Sequence, residues 1–434
     1  MVQQIPIVKR FNRCCSAAAF AWLVIVVPLT FKFRPVRYHD AGQFYMGGVI
    51  ARHGAWDSLY PLPRPGSPYN PGLAGDSDRR PTYQILSDAV GVGDDPRFIQ
   101  PPPDALLFAT LALLTYRHAI LVWIIINCIC GWGIALLAGK FYELCCGKIS
   151  PISGIVTLLI GSSYTMYVTL RCLNLEAPIG LLLGLTTLQI LRRDSIRGAA
   201  GLVVGGLLKY ATLILLPLAI VMRRWHLLLW TGLLFAIAVA ASWLLMGKIP
   251  FIQYAHIFPL LSRPYEDETN QSLQGLLLRV THTVPLSSHV RQMVDLAGIL
   301  ALLVLLLLIA RRIWRQPQPG TPTVFAAAAA LIGWMLIFSP LVWNKYHLFL
   351  FPFWGWLAWE ARQTNWRMAC LIFAIVMHWG SWPNLSEPFN SHMLWGVVTI
   401  LGIAIARLWV SVPAATSNSD EKSRYRHFTS PVVQ

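Results

Sequence analysis

One carboxylate sits where chemistry at a membrane surface is feasible. Asp40 follows the first apolar run, in Arg37-Tyr38-His39-Asp40, with Gln43 and Tyr45 next. Trp56-Asp57-Ser58-Leu59-Tyr60 closes a short amphipathic stretch. A carboxylate at the bilayer interface can take the proton of a hydroxyl held near a lipid-borne phosphate. Asp40 fits equally as a solvated loop residue or as the N-cap of a helix over 41–53. Lys209 ends the glycine-rich run Gly201 to Leu208, and Pro217 follows. A lysine between two apolar runs is costly unless it reaches an interface or a partner. It reads as a point charge for a phosphate or as a snorkelling side chain at a helix end. Asn174 and Glu176 lie between two apolar segments, where a Glu is a functional candidate or simply the mark of a loop. The cluster Ser339-Pro340-Leu341-Val342-Trp343-Asn344-Lys345-Tyr346-His347 ends one segment and begins the next. Trp343 and Tyr346 suit an interfacial aromatic belt, and Lys345 and His347 can face a charged ligand; a polar turn at the bilayer surface is the alternative. Gln100-Pro101-Pro102-Pro103-Asp104 announces a helix start.

Several chemistries have no signature here. There is no phosphate-binding glycine loop with a following Lys-Ser/Thr, no His-Glu-x-x-His helix and no Ser–His–Asp pattern. The eight cysteines show neither a disulfide framework nor zinc spacing. No metal site and no cofactor is expected.

These residues are spaced by long apolar segments. Of 434 residues, 56% are hydrophobic and 12% charged, against about 25% charged in soluble domains. With 18 Trp, that composition excludes a secreted disulfide scaffold, a disordered chain and an ordinary soluble enzyme. The net charge is +16, but the basic residues cluster between apolar runs: Lys9-Arg10, Arg192-Arg193, Arg223-Arg224, Arg311-Arg312-Arg315 and Arg362 to Arg367. That is the pattern of cytoplasmic loops, not of a nucleic-acid surface. The reading is an all-α polytopic membrane protein with about 11–13 transmembrane helices. Residues 1–30 form the cytoplasmic N-terminus and an uncleaved first helix, 31–102 a long extracytoplasmic loop and 103–246 a transmembrane core. Residues 247–296 form a second extracytoplasmic loop, 297–411 the C-terminal helices and 412–434 a polar, unstructured cytoplasmic tail. Arg192-Arg193 and Arg223-Arg224 both belong on the cytoplasmic side, so residues 198–222 must go out and return, turning near Lys209.

Taken in order, the clusters resemble the polyprenol-phosphate-mannose-dependent α-1,2-mannosyltransferases, a family of the GT-C class of membrane glycosyltransferases. The matching landmarks are Asp40, Tyr45, Gly54 and Leu59-Tyr60; then Pro101-Pro102 leading into Ala105 to Ala109; then the run ending in Lys209 and Pro217. The last is Asn270-Gln271-Ser272-Leu273 with Gly275 and Arg279, followed by Ser339-Pro340 and Trp343. The chain departs from the family in Gln100 for a Tyr, and in Lys345 and Tyr346 where two histidines are usual. Its first polar loop is also longer.

The resemblance implies a GT-C-like bundle and a sugar, by default mannose, moved from a polyprenyl-phosphate donor. The acceptor would be a glycolipid or surface glycan on the outer face of the cell membrane. It implies inversion without a metal, with Asp40 as catalytic base and Lys209, Lys345 and His347 at the donor phosphate. Tyr45, Tyr60, Asn270, Gln271, Arg279 and Trp343 are the expected substrate-binding residues. A transporter or flippase, or an envelope-assembly protein without the chemistry, is the alternative.

Overall fold

The computed structural model describes residues 4–33, 40–63, 77–78, 80–92, 97–261, 263–264, 269–282, 286–316, 319–379 and 389–409. Arg37 to His39, Arg79, Tyr265 to Asp267 and the tail lie outside them. The described residues are helical almost throughout; a two-residue antiparallel pair, Leu62–Pro63 with Ser77–Asp78, is the exception. The chain is an all-α polytopic membrane protein.

The order begins α1 (Gln4–Phe33), α2 (Ala41–His53), α3 (Pro81–Ala89) and α4 (Pro102–Phe108). Among its described residues the first long loop carries two helices, α2 and α3. Ala41 to Ile50 are all buried, so α2 is packed on every side instead of lying amphipathically on a surface. Gly48 permits this: a Cβ there would fall 2.2 Å from the carbonyl oxygen of Phe108, so α2 and α4 touch backbone to backbone.

Next come α5 (Tyr116–Cys146), α6 (Pro151–Gly161), α7 (Tyr164–Cys172), α8 (Glu176–Arg192), α9 (Ser195–Lys209) and α10 (Leu216–Val221). The apolar run 151–171 is bent by 45° between α6 and α7. Ser163 causes the break by capping α7: its Oγ accepts from the Met166 amide at 3.2 Å. α8 and α9 form a hairpin whose turn carries Arg192 and Arg193. The returning chain turns at Tyr210, which holds φ +57°, directly after Lys209. Gly205 leaves room for Thr212, whose hydroxyl donates to the Leu202 carbonyl at 2.9 Å, so the Ala211–Leu215 3-10 turn folds back onto α9. This is the reversal that the two arginine pairs require.

The chain continues with α11 (Trp225–Met246), α12 (Ile249–Leu261), α13 (Leu273–Thr281), α14 (Ser288–Trp314) and α15 (Thr321–Phe338). It ends with α16 (Trp354–Ala361), α17 (Asn365–Trp379) and α18 (His392–Trp409). Helices α5, α11, α14, α15 and α18 are long and apolar enough to cross a membrane, and α6 with α7 makes a sixth span if counted as one. The remaining apolar segments are shorter or broken. α14 starts at Ser288, well before the expected 297, because Ser287 caps a polar extension, His289 to Asp295, that hydropathy alone does not register. The apolar run 346–360 divides into a 3-10 stretch, Asn344–Phe353, and α16. Pro352 has no amide hydrogen and interrupts α-type bonding there.

α15 is the centre of the bundle, with Thr323 to Gly333 buried throughout. Its alanine run, Ala326 to Ala330, lets α18 and the 3-10 stretch approach closely. α11 and α14 leave most of their apolar surface outside the protein, as lipid-facing helices do.

Candidate active site

Residues distant in sequence meet where α2, the α7–α8 turn, the end of α9 and the 3-10 stretch converge. Asp40 occupies the N-cap position of α2 but makes no side-chain cap hydrogen bond. Its carboxylate points elsewhere. Asn174 donates to Asp40 Oδ2 at 2.5 Å, and the Lys345 ammonium forms an ion pair with the same oxygen. The Asn174 amide is oriented from both ends, since its oxygen accepts from the Leu175 amide at 2.7 Å. The Asp40 backbone amide donates to the Cys172 carbonyl at 3.0 Å, which fixes α2 to the turn. Leu173 holds φ +51° there, a costly conformation for a leucine that places Asn174 toward Asp40. Burial pushes the Asp40 carboxyl up, but the Lys345 ammonium and the hydrogen bonds from Lys345 and Asn174 outweigh it. The result is a carboxyl held below its usual range. The side chain keeps 35% of its surface exposed, so a reactant can reach it.

Beside this pair lies a second. Lys209 Nζ is 2.7 Å from Glu176 Oε1 and 4.2 Å from the centre of the Tyr346 ring. Glu176 is fully buried, and its Oε2 has no hydrogen-bond partner among the described residues. The two ammonium groups are close enough to repel each other. The site thus holds two half-buried lysines, each compensated by one carboxylate. An arriving anion can take over either lysine by displacing that partner.

His347 is fully buried one layer behind. Its Nδ1 lies 3.2 Å from Nε2 of His378, whose own Nδ1 lies 2.9 Å from the Ala374 carbonyl. A carbonyl only accepts, so His378 carries its proton on Nδ1 and accepts on Nε2. His347 must then donate through Nδ1, leaving Nε2 as a lone pair without a partner among the described residues. In this tautomer His347 offers an acceptor, which suits a hydroxyl better than a phosphate oxygen.

The expected substrate-binding residues are spread more widely. Tyr45 and Tyr60 are buried in the packing of α2 and α4; the Tyr45 hydroxyl donates to the Leu114 carbonyl at 2.9 Å and that of Tyr60 to the Gln100 carbonyl at 2.8 Å. Asn270 and Trp343 form a β-bridge, and Asn270 Oδ1 accepts from the Val342 amide at 3.0 Å. Arg279 donates to the Asn270 carbonyl at 2.8 Å and to Ser391 at 2.6 Å, while Gln271 donates to the Asn390 carbonyl at 3.1 Å. These polar side chains clamp the turn that carries Lys345 and join it to the start of α18.

Sequence reasoning passed over two features. Asp104 was a mere helix-start marker, yet it is fully buried with neither carboxylate oxygen hydrogen-bonded among the described residues. The first loop also contains an Asp-x-Asp spacing, Asp76-Ser77-Asp78, of which only Ser77 and Asp78 are described.

No curated protein and no solved structure matches the chain. A family does: residues 98–340, more than half of the chain, match glycosyltransferase family 87. The matched region includes Asp104, Asn174, Glu176 and Lys209, and the clamp from Asn270 to Arg279; Lys345 lies just after it and Asp40 well before it. With its apolar helices and the convergence of these charged side chains, the chain belongs to glycosyltransferase family 87.

Proposed function

We propose that this membrane glycosyltransferase moves a sugar, mannose by default, from a polyprenyl-phosphate donor to a glycolipid or glycan hydroxyl on the outer face of the cell membrane. The observation that carries the reading is the meeting of Asp40, Lys345, Glu176 and Lys209 in one partly buried charged cluster. Arg192-Arg193 at the end of α8 and Arg223-Arg224 after α10, both at the helix ends away from Glu176 and Lys209, support the orientation. The first helix enters from the cytoplasm, and the segments around 31–102 and 247–296 lie outside.

Asp40 accepts the proton of the acceptor hydroxyl. That oxygen bonds to the anomeric carbon from the face opposite the phosphate, while the bond from the anomeric carbon to the phosphate oxygen breaks. The electron pair leaves with the polyprenyl phosphate, whose charge becomes more negative by one, and a β-linked donor gives an α-linked product. Lys345 and Lys209 stabilise the growing charge by charge-assisted contacts. Lys345 also links the two events. While it is paired with Asp40, the carboxylate is a weak base; drawn to an arriving phosphate, it leaves Asp40 free and more basic. Base activation then follows donor binding. His347 Nε2 accepts a hydrogen bond from a ligand hydroxyl.

The test is transfer of radiolabel by the purified chain in nanodiscs, from polyprenyl-phosphate mannose and polyprenyl-phosphate arabinofuranose to extracted membrane lipids. The expected result is a labelled glycolipid of inverted anomeric configuration, formed at an unchanged rate in excess chelator. Retained configuration or loss of transfer with chelator would contradict the mechanism. A chain that moves these lipids across vesicles without transferring label would contradict the donor reading itself.

A further inference from the structure

Asp104 is unused by the mechanism above, and its setting is chemically specific. It is fully buried, and neither carboxylate oxygen is hydrogen-bonded among the described residues. Lys209 and the hydroxyls of Tyr60, Tyr210 and Tyr254 are its electrostatic neighbours. Two of those hydroxyls are committed elsewhere: Tyr60 to the Gln100 carbonyl, Tyr254 to the Tyr210 hydroxyl. The rings form a continuous aromatic wall, with centres 5.5 Å apart for Tyr60 and Tyr254, 5.7 Å for Tyr254 and Phe258, and 5.8 Å for Tyr210 and Phe258. Its outer edge, Tyr210 and Phe258, is 37% and 44% exposed. A buried acceptor without a donor is unfavourable unless a ligand completes it.

We propose that Asp104 and this wall form a hydroxyl-binding subsite for the sugar carried on the lipid phosphate, resting on the donor reading given above. A sugar offers hydroxyls to the carboxyl group and C–H faces to the rings, whereas a phosphate is drawn to the Lys209 ammonium. Lys209 stands at the border, so the phosphate lies on its side of the site and the sugar on the Asp104 side. Asp104 is fully buried, so the sugar reaches it by a local opening of the packing around it.

The test measures thermal unfolding of the full chain in nanodiscs with three probes: polyprenyl phosphate, polyprenyl-phosphate mannose and polyprenyl-phosphate arabinofuranose. In wild type, at least one sugar-bearing lipid should stabilise more than the bare lipid. Asp104→Leu should raise the midpoint of the free protein by about 1 °C or more, because an unmatched buried polar group is removed. It should abolish the sugar-dependent excess, equivalent to at least about tenfold weaker binding, and leave stabilisation by the bare lipid intact. Asp104→Asn, nearly isosteric, should lose the same excess without a lower midpoint. A lower midpoint in both variants would show a structural role and overturn the proposal, as would a retained sugar excess. If no sugar exceeds the bare lipid in wild type, the subsite falls and the phosphate reading stands. If the bare lipid also fails to stabilise wild type, both fall.

Discussion

Two buried charge clusters occupy opposite ends of the bundle, and α5 measures their separation. The Trp123 indole donates to the Leu173 carbonyl beside Asn174, while the Tyr142 hydroxyl accepts from Arg362 at 2.5 Å. Nineteen residues of helix, about 28 Å, lie between them. At the Arg362 end, the fully buried Glu360 sits between Arg367 at 2.5 Å and Arg407 at 3.2 Å. That cluster fastens α16, α17 and α18 with guanidinium groups, whose planar forks suit fixed contacts. At the Asp40 end the cations are lysines, point charges on flexible stems, and Glu176 and Asp104 keep oxygens without partners among the described residues. At the Glu360 end each carboxylate oxygen has its own arginine ion-pair partner, Oε2 with Arg367 and Oε1 with Arg407, so the cluster acts as a brace; at the Asp40 end Glu176 Oε2 and both Asp104 oxygens have neither a hydrogen-bond nor an ion-pair partner among the described residues. Burial of charge alone does not distinguish them. The identity of the cation and the carboxylate oxygens left without an ion-pair partner do.

Substitutions should separate the two ends. Lys345→Met removes one of two charges facing the leaving phosphate and should lower the transfer rate about 10²- to 10³-fold, read by single-turnover kinetics. Lys345→Arg, longer and planar, should restore only part of it. Asn174→Ala loses one charged hydrogen bond to Asp40 and should lower the rate about tenfold, with donor KM less affected. Glu360→Gln should do the reverse. Breaking the brace costs on the order of 3 kcal/mol and lowers the unfolding midpoint, while the rate per folded molecule stays within about twofold. A large loss of rate without loss of stability in Glu360→Gln would undo the contrast.

The pH response sharpens it further. Folding lowers the Asp40 carboxyl below its unfolded value of about 3.9. The ion pair's stabilisation is therefore complete above that value and is lost as pH falls through the folded one. The acid limb of kcat/KM in wild type should lie below pH of about 4, leaving the profile flat from neutrality to pH of about 5. In Lys345→Met, where burial acts without its counter-charge, the limb should move upward, measured on the residual rate.

The chain's legibility differed between elements for physical reasons. Hydropathy outlines the lipid-facing helices, and the two arginine pairs locate the reversal at Tyr210, because both signals are local. Asp40, Lys209 and Lys345 stood out because charge near apolar runs is costly wherever it lies. Their partners did not. Nothing local announces that Asn174 orients a carboxylate 134 residues away or that Lys345 meets one 305 residues away. Asn270, Gln271 and Arg279 are expected at the substrate from the resemblance; that their side chains also clamp the 339–347 turn is not legible from local sequence. Asp104 stayed hidden because Pro-Pro-Asp before an apolar run is ordinary helix-start chemistry. The bend at Ser163 and the 3-10 stretch through Pro352 interrupt apolar runs without changing their hydropathy.

The most direct measurement is single-turnover sugar transfer by wild type and Asp40→Asn, both correctly inserted and equally stable to heating, with the same lipid-phosphate donor. The account predicts transfer by wild type and a loss of at least about 10²-fold in the variant, with donor binding retained. Transfer by Asp40→Asn at the wild-type rate would contradict it.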